Sequence, residues 1–181
     1  MARVEQLEPE QLTPEQQRIA KEIASTRSRV GGPFGIWLRT PAIADAANQL
    51  GQTLRRDGKL DKRLFELAVL LLVRHWGAQY AWHVHDAAGR AAGLSDDVIA
   101  AIRDKRTPRF AKPDEQLIYD VISELVETKA VSSATYQRAL SALGLDLLIE
   151  LIAVAGFYTM VAMTLNTFEV ATPDGSRPLA N

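Results

Sequence analysis

Glu66-Leu67-Ala68-Val69-Leu70-Leu71-Leu72-Val73-Arg74-His75-Trp76-Gly77-Ala78-Gln79-Tyr80-Ala81-Trp82-His83-Val84-His85 is the stretch that decides this fold. It reads as two helices broken at Gly77. Asp61 can cap the first, which runs to about His75, and the second runs from about Ala78 to Ala92, where Gly93 ends it. On the second helix Ala78, Ala81 and His85 stand at i, i+3 and i+7 and share one face. Two methyl groups above a histidine leave a hollow. The free amides and positive dipole end just after Gly77 suit an anion there, such as a carboxylate or an enolate oxygen.

Working outward, the chain is a series of helices punctuated by proline and glycine. Thr13-Pro14-Glu15-Gln16 combines a cap, a first-turn proline and a capping-box glutamine, opening a helix with Ile19 and Ile23 on one face. Gly31-Gly32-Pro33-Phe34-Gly35 predicts a break with no regular element. Thr40-Pro41 starts a helix with Ile43, Ala47, Leu50 and Leu54 as its apolar stripe and Gly58 as its stop. Ser95 caps a short helix over 96–104, and Pro113-Asp114-Glu115 opens another through about Val126. Ser132 or Ser133 caps the next, which Gly144 stops, and a long apolar helix then reaches about Phe168. Pro173 to Asn181 reads as a frayed tail. No segment alternates with period two, so the fold is all-α. Phe65-Glu66-Leu67 and Ile149-Glu150-Leu151 echo one another; an internally duplicated helical unit accounts for this, and so does chance.

The chain has 181 residues, enough for one domain with a proper core. Twenty-one Lys and Arg nearly balance 22 Asp and Glu, so nothing in the charge favours nucleic acid or a membrane surface. The N-terminus is too polar and acidic for a signal peptide. Leu147 to Leu165 is largely apolar but holds Glu150, Tyr158 and Thr159 and lacks a basic flank. A buried or subunit-interface helix is therefore expected rather than a membrane span. The chain contains no cysteine, which fits a cytoplasmic protein without proving one.

All three histidines lie close together, at His75, His83 and His85. His83 and His85 point about 200° apart on a helix, so they do not converge on one ion there, and no metal is expected. Glu66 has no other charge near it before Arg74, so it sits either on a narrow wet stripe or buried with a partner. Paired with His85 it would fix the imidazole tautomer; Arg63 or Arg74 could instead take it as a structural ion pair. Taken alone, His85 is best read as a satisfied core histidine, and His75 and His83 as surface or interface residues. Arg74 is a candidate carboxylate clamp through its bidentate fork, against the alternative of a solvated helix end. Trp76, Tyr80 and Trp82 pack or wall a pocket.

These pieces, in this order, resemble the carboxymuconolactone decarboxylase-like superfamily, which includes the alkyl hydroperoxidase D-like (AhpD-like) proteins. The resemblance spans about Gly31 to Phe168. It rests on Gly32-Pro33-Phe34, Leu38 to Pro41, Glu66-Leu67, His75 to Ala78 leading into His85, Ala91 to Ser95, and Leu165-Asn166-x-Phe168. In the redox branch a glutamate precedes a Cys-x-x-Cys, and a histidine follows after three intervening residues. Here alanine stands at both cysteine positions, Ala78 and Ala81, so thiol peroxidase chemistry is closed to this chain.

The resemblance implies an all-α, AhpD-like helical domain over 31–170, after a 1–30 extension with one helix and before a 171–181 tail. It implies a cytoplasmic homo-oligomer, trimer or hexamer, with no cofactor or metal and no nucleic-acid or membrane partner. It also implies His85 and Glu66 as catalytic residues of a lyase or isomerase acting on a small carboxylated lactone or enolisable acid, in aromatic-compound catabolism. Arg74, Tyr80, Ala78, Ala81 and Trp82 are the candidate substrate contacts. One departure matters: the decarboxylases lead one to expect a polar or acidic residue near Ala81. The competing reading is a non-catalytic ligand-binding or interaction member that lost the Cys-x-x-Cys chemistry.

Overall fold

The computed structural model describes residues 2–27 and 30–179, and among these there are eight α-helices and no strand. They are α1 (Pro14–Thr26), α2 (Pro33–Trp37), α3 (Pro41–Gln52), α4 (Lys62–His75), α5 (Gln79–Ala91), α6 (Asp96–Arg103), α7 (Pro113–Thr128) and α8 (Ser133–Thr167). The caps are those the sequence predicts. Thr13 and Gln16 form the reciprocal box, Asp61 accepts from the amides of Arg63 and Leu64, Ser95 from Val98, and Ser132 from Thr135. Gly144 stops the helix begun at Ser133 with φ 75, after which helix resumes at once, so α8 is two helices joined at that glycine.

Three expectations are corrected. The Gly-Pro-Phe loop does hold a regular element, the single turn of α2, because Pro33 occupies its first position and Gly32 takes φ 58 before it. The buried face of α3 is Ala44, Ala47, Asn48 and Gly51, while Ile43 and Leu50 face outward at 49% and 43% exposure. Small residues let α3 lie close against α1 and α2, so proximity to those helices, and not side-chain size, chose the face. The tail is not frayed through Leu179: that residue is buried, and its amide and carbonyl both pair with the side chain of Gln79 at 2.9 Å.

Helix α4 is the centre. It packs on α5, α6, α7 and α8, and Leu67, Ala68, Val69, Leu70 and Val73 have no exposed surface. A helix apolar nearly all round has to be enclosed on every side, and each such Leu or Val contributes about 1.5–3 kcal/mol by burial. Helix α1 adds Ile19 and Ile23 to the same core, and Gln16 of α1 donates to the buried carbonyl of Leu38. Thus the N-terminal extension is packed into the body.

On α8, Leu151, Val154, Tyr158, Val161 and Leu165 face the core. Its opposite face leaves Leu145, Ile149, Ile152, Met160 and Met163 exposed. By length and composition α8 is apolar enough to cross a membrane, but its inner face is protein core. Glu150, the odd carboxylate in this run, accepts from the amides of Lys59 and Leu60 at 3.0 Å and so holds the turn that leads into α4.

Arg63 ties the start of α4 to α7. Its guanidinium reaches Asp114 at 2.6 Å and Glu115 at 2.5 Å, and the Glu115 side chain is only 6% exposed. Arg63→Ala would leave that carboxylate almost unpaired, with Lys112 at 4.0 Å as its remaining partner. Denaturant unfolding is expected to show a loss of about 2–4 kcal/mol. The Arg63 hydrogen bond also holds the Asp114 carboxyl below the usual carboxylate range, so the part of the stability that comes from the Arg63–Asp114 pair is present at neutral pH and lost as pH falls through the Asp114 pKa.

Candidate functional site

Helices α4 and α5 pack together and place Glu66 against His85, 19 positions apart in the chain. His85 Nδ1 lies 2.6 Å from Glu66 Oε2, with side-chain exposures of 10% and 14%. A carboxylate only accepts, so Nδ1 carries the proton and Nε2 of the neutral ring keeps its lone pair. Neither Arg63 nor Arg74 takes Glu66. Tyr158 of α8 packs edge-on to the imidazole, ring centres 5.0 Å apart, and is itself backed by Phe65 and Phe157 at 5.7 and 5.4 Å. Burial pushes the Tyr158 hydroxyl well above its ordinary pKa, so it stays neutral.

His85 lines a cavity of about 250 Å³ together with Ala81, Tyr80, Phe34 and Tyr158. Alanine at position 81 leaves the space that the sequence predicts. Tyr80 is seated by Gly32, where a side chain would lie 2.6 Å from the Tyr80 ring. Glu66 lines an adjoining cavity of about 500 Å³. Arg27 and Arg55 line both.

Other candidates fall elsewhere. Ala78 is fully buried as the N-cap of α5 and is not on the cavity wall; the helix it caps begins one residue later than the sequence suggests. Trp82 is 1% exposed and belongs to the core. Arg74 donates from Nε to the carbonyl of Arg103 at 2.7 Å and lines a different cavity beside Pro108 and Tyr119, so it is not near His85's wall. The cationic end of a buried helix went to a neighbouring backbone carbonyl instead of a ligand. His83 faces Asp174 at 3.7 Å, and His75 stacks edge-on to Trp76. Among the described residues no group of three or more His, Asp and Glu is placed to hold a metal.

Arg27, Arg55, Phe34 and Tyr158 are the wall residues that local pattern missed. Arg27 follows the end of α1 in a polar stretch with no periodicity, and only tertiary packing turns it inward. Tyr158 did carry a signal, as a hydroxyl inside an otherwise apolar run.

The fold is that of the AhpD-like helical proteins. A solved structure described as an alkylhydroperoxidase AhpD core, an uncharacterized peroxidase-related protein from Ralstonia eutropha JMP134, superposes with a TM-score of 0.77 at 16% identity, covering 96% of this chain and 93% of that one. The model of the carboxymuconolactone decarboxylase family matches residues 41–123, the segment from α3 into α7 that contains both Glu66 and His85. Residues 41–123 thus resemble the carboxymuconolactone decarboxylase family, and the chain as a whole shares the AhpD-like fold. A search of curated proteins returns no significant match.

The hydrogen-bond pattern fixes one tautomer, which is measurable. Nitrogen-15 NMR of the neutral His85 ring is expected to show Nδ1 protonated and Nε2 bare. The reverse assignment would mean that Glu66 does not orient the ring.

Proposed function

We propose that this protein is a cofactor-independent lyase or isomerase that acts on a small carboxylated lactone or enolisable acid, with His85 as general acid/base and Glu66 as its positioning partner. The observation that carries the reading is the 2.6 Å contact from His85 Nδ1 to Glu66, on a ring that also lines a cavity of small-molecule size. The carboxylate fixes the tautomer and stabilises the imidazolium, leaving Nε2 to exchange a proton with a bound molecule. In a decarboxylation the breaking carbon–carbon bond leaves its electron pair in an enolate as CO₂ departs, and the ring, having taken a proton at Nε2 from solvent, gives that proton to carbon. In an isomerisation the same nitrogen first removes the proton. A wall with two arginines suits an anionic substrate, and Tyr158 and Phe34 supply its apolar side. The cysteine-free chain has no thiolate for peroxidase chemistry.

CO₂ release and ultraviolet loss on 4-carboxymuconolactone test the reading. Turnover by the native protein is expected to fall about 10²–10⁴-fold in His85→Ala. Absence of turnover at any protein concentration would reject this substrate. Turnover unchanged by the substitution would remove His85 from the chemistry.

We further propose that it works as a cytoplasmic homo-oligomer, trimer or hexamer, through the outward stripe of α8. Leu145, Ile149, Ile152, Met160 and Met163 recur at helical spacing along that face and are 37–59% exposed. A continuous apolar stripe of this length is characteristic of a subunit contact. Light scattering is expected to give a multiple of 19.9 kDa for the native chain and a smaller species for the pair Ile152→Glu and Met160→Glu. A native monomer would refute it.

A further inference from the structure

Arginines in this chain mostly have acceptors. Arg3, Arg18, Arg63, Arg90 and Arg138 pair with carboxylates, and Arg39 and Arg74 donate to backbone carbonyls. Arg27 and Arg55 have no carboxylate partner among the described residues, and both line the cavity that His85 lines. Arg27 is the unusual one. Its Nε is shielded from solvent and has no hydrogen-bond acceptor among the described residues. Its guanidinium lies over the Phe34 ring, 4.2 Å from the centroid, and close enough to Gly51 that a side chain there would meet Nη2 at 2.8 Å. A cation held against an aromatic face and a bare helix backbone, beside a second cation, is costly unless an anion joins it. Consistent with that, burial and the nearby Arg55 charge lower the Arg27 pKa to about 10.

We propose that Arg27 and Arg55 form an anion-binding subsite that holds the carboxylate of the bound molecule above Phe34, on the wall shared with His85. Arg27 presents a planar fork whose orientation is set by Phe34 and Gly51 before any ligand arrives, which suits bidentate pairing with a carboxylate. Arg55, exposed at the end of the turn after α3, supplies a second charge and draws the anion in. The reaction assigned above gives the bound molecule its identity, and to that extent the subsite rests on that reading; the unpartnered cations do not.

Calorimetry separates the two claims. The probe is levulinate, a small enolisable oxo-carboxylate, with methyl levulinate as the neutral control of similar shape. Native protein is expected to bind levulinate and to bind the ester about 10–100-fold more weakly. Arg27→Met and Arg55→Met are each expected to lose that preference, Arg27→Lys to keep part of it, and His85→Gln to bind levulinate nearly as the native protein does. Without ligand, Arg27→Met is expected to melt at or above the native temperature, because a desolvated unpaired charge is gone; a merely structural arginine would lower it. The proposal is overturned if the native protein binds the ester as well as the acid, or if Arg27→Met binds levulinate as the native protein does. Failure of the decarboxylation assay with this binding intact would reject that substrate and leave the subsite standing.

Discussion

The carboxylate of Glu66 sits on the most enclosed helix of the molecule, and an acceptor that has lost most of its water must be given a donor. His85 is that donor, at 2.6 Å. Satisfying Glu66 therefore sets the approach of α5 to α4, the rotation of α5 that turns Ala81 into the cavity, and the edge-on contact with Tyr158. The same pair that lets α4 be buried leaves one imidazole nitrogen without a protein proton. Structural need and chemical opportunity coincide in one hydrogen bond.

Around this pair the fold keeps charge apart by task. Arg63 answers the carboxylates of α7, and Glu150 the amides that enter α4, so neither competes for the site. Glu66 and Glu150 sit in similar local sequence yet do unlike work, one holding a side chain and the other a backbone turn. Arg27 and Arg55, which have no carboxylate partner among the described residues, line both cavities. An asymmetric site results: an imidazole on one wall and positive charge on another, with an aromatic floor in Phe34 and Tyr158. Arg27 is supplied from beyond the segment that the family model covers, by a helix whose Ile19 and Ile23 are part of the common core.

Much of this was legible along the chain because the signals are local. Caps at Thr13, Asp61, Ser95 and Ser132 and the stop at Gly144 follow from hydrogen bonds and dihedral preferences within a few residues. The shared face of Ala81 and His85 is helical arithmetic. What was not legible depends on contacts distant in sequence. Ile43 and Leu50 lost the inner face of α3 to Ala44 and Gly51, since the gap left by α1 and α2, not hydrophobicity, selected the smaller residues. Leu179 docked because Gln79, a hundred positions away, offered both a donor and an acceptor. Arg74 looked like the clamp because it is near His85 in sequence, whereas the end of its helix points its guanidinium to Arg103. Arg27 has no local pattern at all.

The central claim is that a ring oriented by Glu66 moves a proton next to a carbonyl. Hydrogen–deuterium exchange into the carbon positions flanking the levulinate ketone, followed by proton NMR in deuterated buffer, reads that step without needing the natural substrate. The account predicts exchange well above the buffer rate with native protein, and a return to the buffer rate in His85→Gln under conditions where levulinate remains bound. Equal exchange by the two proteins would contradict it.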